Sequence, residues 1–140
     1  MVYKFENLEV WKLALAYINL IYALAERLPR SEEYNLKSQI TRAATSIALN
    51  IAEGSTSQSD AKQARFLGLA IRSLIETVAC QHLIHQRGHL DDPAPLRESY
   101  QFSRSLFAKL QAFRRSLKGE STAREEPAEY GTGAETPFDR

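Results

Sequence analysis

The stretch 39–54, QITRAATSIALNIAEG, constrains this chain more than any other. Its apolar residues recur at spacings of three and four, the period of an α-helix and not of a strand. With the preceding turn, Leu36, Ile40, Ala43, Ile47 and Ile51 form one seam, while the small residues Thr41, Thr45, Ala48 and Ala52 lie on the opposite side. Between Ser38 and Ala52 the only charged residue is Arg42. A helix with so little charged surface is expected to be covered on most sides. Four helices cannot enclose one of their own members, so the remaining cover is expected from another copy of the chain in a cyclic homo-oligomer.

A third stripe lies between those two faces. Gln39, Arg42, Ser46, Asn50 and Glu53 fall within about 80° of one another at 3.6 residues per turn. Polar groups on a covered helix must find hydrogen bonds or face a cavity. The simpler expectation is a network that fixes register, with Arg42 paired to Glu53 or Glu76. The alternative is a polar groove or pore lining. We take these five residues as an assembly stripe.

Helical periodicity returns in three other segments, and sustained strand alternation in none. Helices are expected over about 8–28, 32–53, 60–87 and 93–118. Asn7, Ser31 and Ser59 are candidate N-caps, and Asp92 followed by Pro93 is a strong helix start. Pro29, Gly54 and Gly88 are read as stops, with Gly54 suited to a left-handed turn. In the first helix, Leu8, Trp11, Leu15, Ile18, Tyr22 and Ala25 form an expected core seam. Val10, Ala14, Tyr17, Ile21, Leu24 and Leu28 form a second seam beside it, so this helix too has surplus apolar surface. Short connections make neighbouring helices antiparallel. The expected fold is therefore all-α: an antiparallel up-down four-helix bundle over 1–118 with a disordered acidic C-terminal tail over 119–140.

Charge supports that division. Residues 1–119 carry 16 Lys and Arg against 11 Asp and Glu, and residues 120–140 carry 2 against 6. The tail is polar, without apolar period, and reads as a flexible spacer. Its Tyr130 and Phe138 are the alternative, a short peptide motif. No apolar run approaches the roughly 20 residues that span a bilayer. The first residues lack the pattern of a signal peptide, and a single Cys80 cannot form an internal disulfide. No membrane association and a cytoplasmic location are expected.

Candidate chemistry is sparse. His82, His85 and His89, near Asp91 and Asp92, have the spacing of a metal site on one helical face. Gly88 ends the helix before His89, and His82 and His85 continue the stripe of Leu67, Ile71, Leu74 and Val78, so closure of the bundle is the simpler role. Cys80 has no neighbouring cation to lower its pKa and is expected to be an inert thiol. Ser55, Ser57 and Ser59 sit in a turn, where capping explains them better than catalysis. No Gly-rich phosphate loop occurs, and no cofactor or catalytic residue is expected. On the fourth helix, Arg97, Arg104, Arg115 and Lys118, with Gln111, share a face. That stripe is a solvated face or, repeated around a ring, a contact to the phosphates of RNA or DNA. Tyr100, Phe102, Phe107 and Phe113 fall mostly on the core side, which makes them poor base-stacking residues.

The stretch Phe5-Glu-Asn-Leu8-Glu-Val10-Trp11 resembles the F-x-x-L-x-V-W opening of the 23S rRNA intervening-sequence proteins. Leu28-Pro29, then Glu33-Tyr34-x-Leu36-x-x-Gln39-Ile40-x-Arg42-Ala43-Ala44-x-Ser46-Ile47-x-x-Asn50-Ile51-Ala52-Glu53-Gly54, resembles their central motif. Phe66-Leu67 and Ala70-x-x-Ser73-Leu74-x-Glu76 resemble their third-helix motif. The likeness covers about residues 3–90. Arg72 and Leu28 depart from it, standing where a small residue and an aromatic are common. The resemblance implies a four-helix bundle that assembles into a ring, commonly a pentamer, and no catalysis. The family's name marks genes lying inside rRNA insertions, which is a location and not a function. A distant group, the accessory variability proteins of diversity-generating retroelements, binds a reverse transcriptase and nucleic acid; for this chain that is analogy alone. The expected function is a non-enzymatic, homo-oligomeric scaffold for RNA or an RNA-handling enzyme, the alternatives being a protein-only interaction module or a metal-binding protein.

Overall fold

A computed structural model describes residues 1–56, 59–119 and 135–139 of the chain. It contains four long helices: α1, Glu9–Glu26; α2, Leu36–Gly54; α3, Asp60–Gln86; and α4, Ala94–Leu117. Short 3-10 turns precede α1 (Lys4–Asn7) and α2 (Arg30–Glu32), and there is no strand among the described residues. α2 packs most extensively on α3, and α1 bridges α2 and α4. Along the α2–α3 seam, Gly54 meets Phe66, Ser46 meets Ser73 and Gln39 meets Glu76. Along α3 and α4, Gly68 lies under Arg114 and His82 beside Tyr100. Along α1 and α4, Glu9 pairs with Lys109 and Tyr17 stacks on Phe102. By length and composition alone, α3 is long and apolar enough to cross a membrane. Here it is the shared wall between α2 and α4, and its buried face includes Gln63, Thr77 and Gln81.

The helix ends follow local chemistry. The Ser59 hydroxyl accepts the Lys62 N–H and caps α3. Asp92 accepts the Ala94 N–H at 3.0 Å at the start of α4. Gly88 takes φ +67, its N–H bonding the His85 carbonyl and that of His89 the Ile84 carbonyl, the glycine stop expected from sequence. Three expectations fail. Asn7 lies inside a 3-10 turn, and α1 begins after Leu8 without a side-chain cap. α2 begins at Leu36, not near 32: Ser31 lies in the 3-10 turn, and the Glu32 carboxylate takes both the Asn35 side-chain amide (2.8 Å) and the Leu36 N–H (3.3 Å). Gly54 is not left-handed but is the last residue of α2. A Cβ there would stand 2.7 Å from the Phe66 Cβ, so this glycine lets α2 and α3 close on each other.

Of the two α1 seams, the second fills the core. Val10, Ala14, Tyr17, Ile21, Leu24 and Leu28 are buried, whereas Leu15 and Tyr22 remain 42% and 44% exposed. Trp11 and Ile18 are half-buried against the core edge, and of that seam only Ala25 is buried. The reason lies in the side chains. Ala14 permits close approach and Tyr17 reaches across to α3, while the Tyr22 hydroxyl stays at the surface beside the Thr45 hydroxyl, 3.1 Å away. On α2 the expected seam Leu36, Ile40, Ala43, Ile47 and Ile51 is buried throughout.

Candidate functional site

One polar chain runs through the core. The Gln81 amide donates to the Tyr17 oxygen (3.0 Å), Tyr17 donates to the Thr77 hydroxyl (2.7 Å), and Thr77 donates to the Leu74 carbonyl (2.6 Å). All three side chains are fully buried. Burial pushes the Tyr17 pKa well up despite those hydrogen bonds, so its proton stays in place. Cys80, also buried, is pushed up to about 11 by burial and by the nearby Glu76. It is a protonated thiol at neutral pH, as its sequence neighbourhood suggests.

Of the α2 stripe of Gln39, Arg42, Ser46, Asn50 and Glu53, Gln39 and Ser46 reach α3, Asn50 bonds within α2, and Arg42 and Glu53 are exposed. Ser46 and Ser73 share a hydrogen bond of 2.9 Å, Asn50 donates to the Ser46 carbonyl and hydroxyl, and Gln39 reaches Glu76 at 3.5 Å. The expected pairing of Arg42 with Glu53 or Glu76 does not form; its guanidinium bonds the Ser38 carbonyl at 3.4 Å. Gln39, not Arg42, reaches Glu76 across the helix seam.

The histidines do not converge, and among the described residues no group of three or more His, Cys, Asp or Glu side chains is gathered for a metal. His89 turns toward Glu32, Nε2 to Oε2 3.0 Å. The left-handed residue Gly88 sends the chain out of the helix before His89 can align with the other two. His82 and His85 instead both pack on the ring of Phe138, each with ring centres 5.1 Å away.

That contact corrects the expectation for the C-terminus. Residues 120–134, with Tyr130, lie outside the described residues, as does Ser57. Residues 135–139 do not behave as a spacer: Phe138 is completely buried between α3 and α4. Tyr100 presents its ring at 87° to it, with centroids 5.6 Å apart. Burying a Phe side chain is worth roughly 1.5–3 kcal/mol. Two arginines of the expected basic stripe hold the segment's backbone. Arg104 donates to the Glu135 carbonyl at 2.8 Å while its guanidinium lies over the Tyr100 ring, and Arg97 donates to the Phe138 carbonyl at 3.4 Å. Arg97 also stands 3.9 Å from the Asp139 carboxylate. Asp139 is held below the usual carboxylate range by the Thr136 N–H, then by the Thr136 hydroxyl and the charge of Arg97. Of the stripe, Arg115 is half-buried and Lys118 exposed at the end of α4. The tail signal was present in sequence: an aromatic between Pro137 and Asp139, in a stretch otherwise poor in large apolar residues.

Beyond Phe138 the same groove continues as an open cavity of about 500 Å³ lined by Leu74, Ile75, Val78 and Phe107, with Tyr100 and Arg104 shared between the two. On the far side of the molecule, the outer face of α1 and α2 carries Leu15, Tyr22 and Leu49, the last 60% exposed.

These features define an all-α four-helix protein. The chain belongs to the 23S rRNA-intervening sequence protein family, whose model matches residues 6–112. The match takes in most of α4, further than the motifs visible in the sequence. No curated protein matches the chain.

Proposed function

We propose that this chain is an antiparallel up-down bundle that assembles into a closed homo-oligomeric ring, pentameric as the family resemblance implies. In this reading it is a non-enzymatic scaffold for RNA or an RNA-handling enzyme. The order of the contacts supports the topology: going down α2 from Gly54 to Gln39, the partners go up α3 from Phe66 to Glu76. The observation that carries the assembly is the apolar face of α1 and α2. Leu15, Tyr22 and Leu49 are 42%, 44% and 60% exposed, with Trp11 and Ile18 half-buried among them. The Tyr22–Thr45 hydrogen bond joins the two helices there, and Leu49 follows one turn after Thr45. A second copy laid on this face would cover what the bundle leaves open.

Light scattering tests this. A chain of 15.8 kDa is expected to scatter as a multiple of that mass, and a monomer at micromolar concentration would overturn the reading. For RNA, binding that weakens with salt and is lost when Arg97, Arg104 and Arg115 become Ala is expected. No detectable binding at low salt would leave the protein-only module. One observation already favours that second reading: Arg97 and Arg104 are engaged by a peptide segment, residues 135–139.

A further inference from the structure

We propose that the groove between α3 and α4 is a binding site for short acidic peptides that present Phe next to a carboxylate, and that residues 135–139 of this same chain are its resident ligand. The inference does not depend on ring assembly or on RNA. Recognition has two parts. His82, His85 and Tyr100 enclose one aromatic side chain, and Arg97 and Arg104 take main-chain carbonyls on either side of it. Carbonyl capture with a single side-chain pocket is how linear motifs are read: backbone contacts seat the peptide and one pocket selects the residue.

The segment arrives pre-shaped. Asp139 accepts the Thr136 N–H at 2.9 Å and the Thr136 hydroxyl at 2.7 Å, and the Phe138 N–H donates to that hydroxyl oxygen at 3.1 Å. These bonds are internal to four residues, so the turn can form before docking and lowers the ordering cost of binding. The groove is longer than its resident. The open cavity beside Phe138, along Ile75, Val78 and Phe107, has room for further residues of a peptide. The resident also lies outside the matched family region, which ends at 112, so the ligand is carried by this chain's own extension.

The fifteen residues 120–134 tether the segment to α4. A tether of that order holds it at an effective concentration of roughly millimolar. A peptide added in trans must compete with it. The experiment titrates a fluorescent peptide of sequence GAETPFDR into the full-length chain and into full-length Phe138→Ala. The variant is expected to bind the peptide at least tenfold more tightly than the wild type, because its own segment no longer fills the pocket. Adding Arg97→Ala and Arg104→Ala to that variant should abolish the gain. Equal affinity for both chains, or no binding to either, overturns the proposal. A second measurement is independent of the Phe138 variant. In wild type, the Thr136 and Phe138 amides should be protected from hydrogen exchange, and Arg97→Ala with Arg104→Ala should remove that protection. Unprotected amides in wild type would equally overturn it.

Discussion

Tyr17 shows how much one hydroxyl can decide. It lies at 0% exposure in the bundle centre and joins α1 to α3 through Thr77 and Gln81. Tyr17→Phe keeps the ring but leaves the Gln81 amide without its acceptor, and Gln81 Oε1 already has no partner among the described residues. The expected cost is about 1–3 kcal/mol in urea unfolding, the range for an orphaned buried polar group. Adding Gln81→Met should recover part of it, since removing both partners is cheaper than removing one. Glu32 makes a second residue-scale case. Its carboxyl is held below the ordinary 4.5 by the Asn35 amide, then by the Leu36 N–H and by His89. A folded value below the unfolded one means the folded chain binds fewer protons. The contribution is therefore fully present above the unfolded value and is lost as pH falls through the folded one. As pH falls below about 5, wild type should lose stability more steeply than Glu32→Gln, measured by denaturant midpoints at successively lower pH. Parallel slopes would show that Glu32 does not contribute.

At the scale of elements, Gly54 and Gly88 separate packing from conformation. Gly54→Ala places a methyl 2.7 Å from the Phe66 Cβ and should cost about 1–3 kcal/mol by overpacking the α2–α3 seam. Because the close atom is Cβ, the penalty should persist in a Phe66→Ala background. Gly88→Ala meets nothing within 4 Å but must hold φ +67, and should cost about 1–2 kcal/mol with no shift of the helices. Urea unfolding with a double-mutant cycle at 54 and 66 separates the cases. The same pair shows what is legible in a sequence. Four helices, the Ser59 cap and the Gly88 stop are local, so the residues themselves announce them. Gly54 looks like a stop because its neighbour on α3 is invisible from α2. For the same reason, periodicity displays both α1 seams but cannot say which faces α3. It also pairs Arg42 with Glu76, which in the fold belongs to Gln39. The candidate site was legible in half. Arg97 and Arg104 stand out as a stripe, but their occupant lies more than 30 residues further along the chain, beyond any periodic pattern.

For the whole molecule, the distribution of apolar surface is the property that separates a self-sufficient bundle from an assembling one. Core burial is complete from Val10 to Leu110 without help from a second copy, so a single chain has enough interior to hold its helices together. Among the large apolar side chains left exposed, Leu15, Tyr22 and Leu49 gather on the α1–α2 face and have no role in closing that core, while Ile75 and Leu83 lie on α3. Folding and assembly should therefore be separable by mutation. Anything that binds the folded chain and not the unfolded one raises its apparent stability by mass action, and a second copy is such a ligand. The midpoint of thermal unfolding should rise with protein concentration from low micromolar to several hundred micromolar for the wild type. Leu49→Glu, on a side chain already 60% in solvent, should fold with the same helix content by circular dichroism. Its midpoint should match the dilute wild type and stay constant with concentration. A wild-type midpoint independent of concentration would argue that the α1–α2 face closes no assembly. A Leu49→Glu chain that still shows the dependence would move the contact to another face, the exposed Ile75 and Leu83 of α3 being the next apolar residues available to make it.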